Sequence, residues 1–566
     1  MSRETWFIFV LLMSTQCLNA SLPQTPVVYT NSGPVRGLIS RTVWNEVEYS
    51  SFKGIPYAKP PTGSLRFKPP VPVKAWKQTL NAFQEGSVCP QMDMISGDLM
   101  GKEDCLFLNV FTPKTQFEEQ QNLKSVMVWI HGGGYMTGYS NASMYGPDFF
   151  IEEDIVLVSF NYRLGALGFL SLDHPRATGN AGLKDQNLVL RWVQNNIANF
   201  GGDPRKVTIF GESAGATSVG FHILSEKSRG LFLRSISMSG VPLCMWAYHT
   251  PQEAINKAHK LAAILGFAPR SKTDLLNFFL RAPVSDLVIG TTKVDLDYLP
   301  FRPTAENSAI TPYNSAFLTE CPLLKYYSGK FYQHSMMLGF TRDEVLLFTG
   351  PAFGPLNATE KMVNSLENRI KDNGHTTDEN LGHIAMLLDK VANLTIAEVV
   401  KLGTDFFFWS PIDLTQRIMA KYNRNHPIYY YRVSYQTQYS MHGLNGNPLN
   451  GTAHLDDVGY IFNVKDLNAP SDPTDPFNQF RKRMVTLWAN FAKYGHPTPR
   501  NPSGTALNVT WTNSGDSGSQ LDINEVFSMK DRLIDRKTEV FEKSLHAVLP
   551  IISGCRRKPV DYKSIF

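Results

Sequence analysis

The sequence predicts an α/β fold, a mostly parallel central sheet with helices on both faces. Three observations point there. Between about residues 125 and 240, apolar strand-like runs alternate with helical patterns. The connections are short, as they are when parallel strands are joined by crossover helices. One apolar run ends directly in a serine set between glycines, Gly211-Glu212-Ser213-Ala214-Gly215. In sheets of this kind, functional residues gather at the carboxyl ends of the strands.

The elements follow in order. SVMVWI (125–130) and DIVLVSFNY (154–162) are continuous apolar runs rich in Val and Ile, the pattern of strands buried on both faces. DQNLVLRWVQNNIANF (185–200) reads as a helix, with Val189, Val193, Ile197 and Phe200 on one face. KVTIF (206–210) is the next strand, and MMLGF (336–340) and IYYYRVSY (428–435) are two more. In DPFNQFRKRMVTLWANFAKYG (475–495), Phe477, Phe480, Met484, Leu487 and Phe491 recur at spacings of three and four. Asp475 is placed to cap that helix, with Pro476 at its first position and Gly495 and Pro497 ending it. Its apolar face packs on the body of the protein, with a dimer seam as the alternative. The chain is expected to be a monomer or a homodimer.

A length of 566 residues suggests about three or four domains, yet no linker, repeat or low-complexity tract divides the chain. Hydrophobic content of 43% against 19% charged is enough for a large core. Net charge is only +5, with both signs interspersed, so nucleic-acid binding has little support. MSRETWFIFVLLMSTQCLNA (1–20) has the anatomy of a signal peptide: Arg3, then the apolar run Trp6–Met13, then Ala20. That run is too short to span a bilayer. No later stretch reads as a membrane span, and VDYKSIF at the end carries no retention signal or apolar anchor tail. The expectation is a secreted mature chain, 21–566, with no membrane anchor.

Removal of Cys17 with the leader leaves Cys89, Cys105, Cys244, Cys321 and Cys555, an odd number. A disulfide closing the short loop between Cys89 and Cys105 would contribute roughly 3 kcal/mol in the chain-entropy account. No paired-cysteine or His/Cys cluster suggests a metal, and no cofactor motif is present. Sequons for N-glycosylation begin at Asn141, Asn357, Asn393, Asn450 and Asn508.

The Gly-x-Ser-x-Gly run has a plain explanation: a strand-to-helix turn with glycines for close approach and Ser213 as N-cap. It has a chemical one as well, in which the serine stands exposed at the apex of a strained turn as a nucleophile. The chemical reading needs further parts, and candidates exist. VWIHGGGYMTG follows its strand directly. The backbone amides of Gly133 and Gly134, with that of Ala214, can surround a carbonyl oxygen that gains negative charge. A serine also needs a histidine base oriented by an acid. His454, in GTAHLDDVGYIF, and His442, in YSMHGLNG, compete for the first role. Asp343 and Glu344, just past the MMLGF strand, compete for the second.

Taken together the blocks resemble the carboxylesterase/cholinesterase family, the type-B carboxylesterases. FKGIPYAKPPTGSLRFKPP, GKEDCLFLNVFTP, HGGGY, NYRLGALGFLS, the long run around Ser213, HLDDVGYIF and LWANFAKYGHPTP all stand in family order, over nearly the whole mature chain. The resemblance implies one large α/β-hydrolase domain and hydrolysis of a small-molecule ester. It puts the acid on Glu344 and the histidine on His454, although Val345 stands where the family has glycine. It implies a Cys89–Cys105 disulfide, an internal Arg66–Glu103 ion pair and an unpaired Cys244. The Cys89–Cys105 loop has no aromatic residue to hold a quaternary ammonium, so choline esters are disfavoured. Juvenile hormone esterases usually have Gln before the serine, where this chain has Glu212. Secreted insect carboxylesterases are the most similar subgroup. A non-catalytic adhesion relative is the rival, against which the full set Ser213, Glu344 and His454 weighs.

Overall fold

The computed structural model describes residues 23–93, 96–117, 122–294, 299–311, 315–350, 395–500 and 507–532. The expected signal peptide, Cys555, Asn357 and Asn393 lie outside them.

An eleven-stranded sheet forms the centre. In chain order its strands are β1 (Leu38–Arg41), β2 (Glu48–Pro56), β3 (Phe107–Thr112), β4 (Lys124–Ile130), β5 (Val156–Phe160), β6 (Gly202–Glu212), β7 (Arg234–Met238), β8 (Met336–Thr341), β9 (Ile428–Val433), β10 (Gln520–Ile523) and β11 (Ser528–Lys530). Across the sheet the order is β11-β10-β9-β8-β7-β6-β4-β5-β3-β2-β1. The seven strands from β10 to β5 run parallel. The other four pair antiparallel at the two edges. The result is the mostly parallel central sheet that the sequence predicts.

The period-two alternation of a strand divides the core into two layers. Val126, Val128 and Ile130 of β4 join one hydrophobic cluster, together with Val189, Leu190 and Val193 of the helix Ala181–Asn196. Met127 and Trp129 of the same strand join the other, with Phe477, Phe480, Met484 and Leu487 of the helix Pro476–Tyr494. The continuous apolar runs of β4, β5 and β6 are thus apolar because both faces are covered.

The five strands read from sequence are all present with different bounds, while β7, central between β6 and β8, and β3 had no reading. β5 is shorter than the run 154–162, because Asn161 and Tyr162 leave the sheet. β6 is longer than 206–210, starting at Gly202 and continuing to Glu212. The helix read at 185–200 starts at Ala181 and tightens into a 3₁₀ turn at Ile197–Phe200. The strands toward the two edges, β1, β2, β10 and β11, had no reading either; three of them are only three or four residues long, and strands so short carry little periodic signal. Asp475 caps its helix by accepting from the Phe477 amide at 2.9 Å, and Gly495 ends it in the left-handed conformation. All five residues of the predicted apolar face are buried against the sheet.

The ion pair of Arg66 with Glu103 is bidentate, at 2.7 and 2.8 Å, and Arg66 also donates to the carbonyls of Phe279 and Ala282. Cys89 and Cys105 form a disulfide, while Cys244 is free and buried. Of the described sequons, Asn450 and Asn508 are exposed and Asn141 is half-buried. Among the described residues no helix is long and apolar enough to cross a membrane.

If the helix Pro476–Tyr494 is held mainly by its apolar face, Leu487→Ala, at a fully buried site, destabilises the protein by roughly 2–5 kcal/mol. Lys482→Ala, at an exposed site on the same helix, stays within about 0.5 kcal/mol. Denaturant titration of both variants checks the contrast.

Candidate active site

β6 and β4 lie side by side, with Phe210 opposite Trp129 and Gly211 opposite Ile130. Their carboxyl ends therefore deliver two loops to one place. β6 ends at Glu212, and the helix Ala214–Leu224 starts two residues later. Ser213 takes up the whole change of direction, at φ 58° and ψ −124°. A non-glycine residue there costs on the order of 1–3 kcal/mol and persists only when its surroundings fix it. Here its amide donates to Met238 O and its carbonyl accepts from Thr217 N, both at 2.9 Å. The neighbouring glycines make the turn sterically possible. A Cβ on Gly215 would lie 1.9 Å from Ile130 O, and one on Gly211 would lie 2.5 Å from the same atom.

β4 runs into His131-Gly132-Gly133-Gly134. A Cβ on Gly132 would sit 3.1 Å from Ser213 Cβ, so this loop packs directly on the serine. Gly133 and Gly134 have positive φ, 99° and 61°. Among the described residues the amides of Gly133, Gly134 and Ala214 donate to no protein acceptor. The loop is braced from both ends. His131 Nδ1 donates to Gly132 O at 2.9 Å, its ring stacks on Tyr162 at 4.3 Å, and burial lowers its pKa to about 4, which keeps it neutral. Gln91, inside the disulfide loop, accepts from Gly138 N at 2.7 Å and donates to Gly138 O at 3.0 Å.

Of the two candidate histidines and two candidate acids, the structure joins His454 with Glu344. His454 Nδ1 lies 2.6 Å from Glu344 Oε2, and both side chains are buried. Glu344 Oε1 accepts from Thr341 N at 2.7 Å, and His454 N donates to Glu344 O at 3.2 Å. With Nδ1 donating to Glu344, Nε2 of the neutral ring carries the lone pair. Asp343 turns elsewhere, to Arg342 at 2.7 Å and Thr452 N at 2.9 Å. His442 pairs with Asp456 instead, at 2.7 Å. Val345, in place of the family's glycine, is buried against Gly403, where any Cβ would meet Val345 Cγ2 at 2.9 Å. The missing glycine is thus offset by a glycine on the facing helix Ile396–Thr404.

His454 Nε2 points to the serine turn, with Glu212 Oε1 at 3.0 Å. Among the described residues no hydrogen bond joins the Ser213 hydroxyl to the imidazole; such contacts commonly tighten only once substrate is bound. Glu212 is fully buried, and burial, then repulsion from Glu344, pushes its pKa well above the carboxylate range. Asp457 behaves alike, raised by burial and then by Glu212 and Glu344. One imidazole thus faces Glu344 on Nδ1 and, near Nε2, a Glu212 carboxyl that burial drives toward its neutral form. Two aromatic rings flank it, Phe408 at 4.8 Å and Phe348 at 5.6 Å. Phe408 sits in a π-helical turn, Asp405–Trp409, of the kind found at functional sites.

Sequence reasoning missed Glu212, Asp457, Phe408 and Gln91 as members of this site. Glu212 carried one usable signal, its place immediately before the serine. Asp457 stood in the same HLDDVGYIF block as His454, while Phe408 and Gln91 arrive from distant segments with no local pattern. Among the described residues no group of His, Cys, Asp and Glu is arranged to hold a metal ion.

The carboxylesterase family model matches residues 24–541. A juvenile hormone esterase of Tribolium castaneum is 33% identical over 530 residues, spanning 86% of this chain and 87% of that protein. A carboxylic ester hydrolase of Bombus ignitus is 34% identical over 515 residues, spanning 87% and 90%. The crystal structure of juvenile hormone esterase from Manduca sexta, with OTFP covalently attached, is similar with a TM-score of 0.81 at 26% identity, covering 93% of this chain and 99% of that one.

The tightest packing in the site makes a sharp test. Gly215→Ala forces a methyl group into Ile130 O, and is expected to destabilise the fold by about 3 kcal/mol or more and to abolish labelling by a fluorophosphonate. A thermal melt and a labelling assay on the purified variant check both.

Proposed function

The chain belongs to the carboxylesterase family and is a carboxylic ester hydrolase, and on that premise we propose that it works as a secreted serine esterase through an acyl-enzyme intermediate. Ser213 attacks the ester carbonyl. His454 takes the serine proton on Nε2 and returns it to the departing alcohol. Glu344 holds the imidazole in the right tautomer and stabilises the imidazolium. The amides of Gly133, Gly134 and Ala214 bind the oxyanion, each contributing on the order of 3 kcal/mol to lowering the barrier. Water then attacks the acyl-enzyme, with His454 again as base.

The single observation that carries this reading is the buried 2.6 Å contact between Glu344 and His454, directed at the strained serine turn. The signal-like leader supports secretion, as does the Cys89–Cys105 disulfide. Exposed Asn450 and Asn508, and half-buried Asn141, are the glycan acceptors proposed among the described residues.

The substrate class is uncharged aliphatic or aryl esters. Phe408 and Phe348 flank the imidazole, Trp246 lies 5.6 Å from Phe408, and Leu299 closes over Gly134. Apolar walls of this kind discriminate by fill, at roughly 1–3 kcal/mol per methylene. Juvenile hormone is the alternative substrate, favoured by the names of similar proteins, while Glu212 in place of Gln weighs against it.

Ser213→Ala is expected to remove all but about a thousandth of kcat or less, and an organophosphate should label a single serine, in the 206–220 peptide. An adduct found elsewhere by mass spectrometry overturns the nucleophile assignment. In a panel of naphthyl acetate, naphthyl butyrate, juvenile hormone and acetylthiocholine, the naphthyl esters are expected to give the highest kcat/KM, and acetylthiocholine as best substrate overturns the substrate class. A kcat/KM profile flat from mild acid to mild base argues against a histidine base.

A further inference from the structure

His442, rejected above as the base, is bound in a way that a merely structural histidine does not require. Both of its ring nitrogens face acceptors. Nδ1 is 2.7 Å from Asp456 Oδ2, and Nε2 is 3.0 Å from the backbone carbonyl of Leu449. The Ser440 hydroxyl lies further off, 3.5 Å from Nε2. A neutral imidazole donates from one nitrogen only, and its other lone pair would then oppose an acceptor oxygen. Two donations require the doubly protonated ring.

Asp456 stands between this ring and the catalytic turn. It is fully buried and accepts three N–H groups: His442 Nδ1, His442 N at 3.1 Å and Ala453 N at 2.7 Å. Ala453 immediately precedes His454. On the other side of His454, Leu455 is held at φ 73°, a left-handed conformation that a leucine keeps only under constraint. The bend that aims His454 Nε2 at the serine is therefore fixed through Asp456, whose charge is balanced by His442.

We propose that His442 is a positioning residue that, as an imidazolium bound to Asp456 and to the Leu449 carbonyl, holds the 453–456 turn so that His454 faces Ser213. The proposal rests on the reading of His454 as the base. It makes catalysis depend on two histidines in opposite protonation states, His454 neutral and His442 charged.

The charges around the ring favour this state. Burial alone would lower the His442 pKa, but the hydrogen bond and charge of Asp456, then the Leu449 carbonyl and the charge of Asp343 just past β8, outweigh it and raise the pKa above its ordinary value. The Lys465–Leu467 turn, which packs on the same short helix, carries one charge of each sign, Lys465 and Asp466. A raised folded-state pKa means that the strut is complete below the unfolded value and is lost as pH rises through the folded one. The consequence is an alkaline limb in the activity profile, separate from the acid limb that belongs to His454.

The test compares kcat and KM for naphthyl acetate across pH in the wild-type protein and in H442Q. H442Q is expected to lower kcat by about 10- to 100-fold through misplacement of the base, to leave KM within about threefold, and to lose the alkaline limb while keeping the acid one. An alkaline limb retained in H442Q, or a kcat within about twofold of wild type, overturns this proposal alone. A wild-type profile without an acid limb overturns the assignment of His454 and the proposal with it. Should H442Q not fold, neutron diffraction from the unaltered protein at neutral pH decides the matter: deuterium on both ring nitrogens of His442 is expected, and deuterium on only one overturns the proposal.

Discussion

Everything in the site depends on how closely two strand ends approach. β6 can hand over to a helix in a single residue only because that turn lies against the end of β4 with no side chain between them. Gly211 and Gly215 both abut Ile130 O, at distances no Cβ could occupy. This contact forces Ser213 into its strained conformation, and it brings the glycine loop after β4 onto the same spot. The strain, on the order of 1–3 kcal/mol, is small beside the two apolar layers that clamp the sheet.

Electrostatics then sorts the acids. Three fully buried carboxyl groups, Glu212, Glu344 and Asp457, surround one imidazole. Three adjacent negative charges in such a place are prohibitively costly. Glu344 accepts N–H groups from Thr341 and His454. Glu212 and Asp457 have no hydrogen bonds of sound geometry among the described residues, and burial drives both toward the neutral form. The environment thus treats neighbouring carboxyl groups differently: Glu344 is held by two N–H donors, while burial drives Glu212 and Asp457 toward the neutral form. The same logic, with opposite sign, applies to His442, where a buried anion on one nitrogen and a carbonyl on the other favour the charged ring.

Aromatic side chains complete the surroundings in a way that follows from backbone irregularity. The π turn at Asp405–Trp409 inserts one extra residue per turn, and Phe408 comes to rest against His454. The helix that leads into this turn accommodates Val345 through Gly403. A departure from the family pattern beside the acid is therefore matched by a small residue nearly sixty positions away, a pairing visible only in three dimensions.

What the sequence by itself determined is local. The continuous apolar runs of β4, β5, β6, β8 and β9, the caps of the helix Pro476–Tyr494 and the Gly-x-Ser-x-Gly turn all express constraints among neighbours in the chain, so composition and spacing suffice to read them. The family blocks added the order of the parts and the choice of Glu344 and His454, which spacing alone had left open. Only the tertiary structure decided the rest. Glu344 and Asp343 are adjacent in sequence yet turn to different partners, because one faces the buried turn of His454 and the other the amide of Thr452. His442 and His454 sit in similar contexts of small and polar residues, and they are separated by which buried carboxylate each meets. The upward pKa shift of Glu212 arises from enclosure by elements far apart in the chain. Burial, partner geometry and mutual repulsion are properties of the packed assembly, and no short stretch of sequence encodes them.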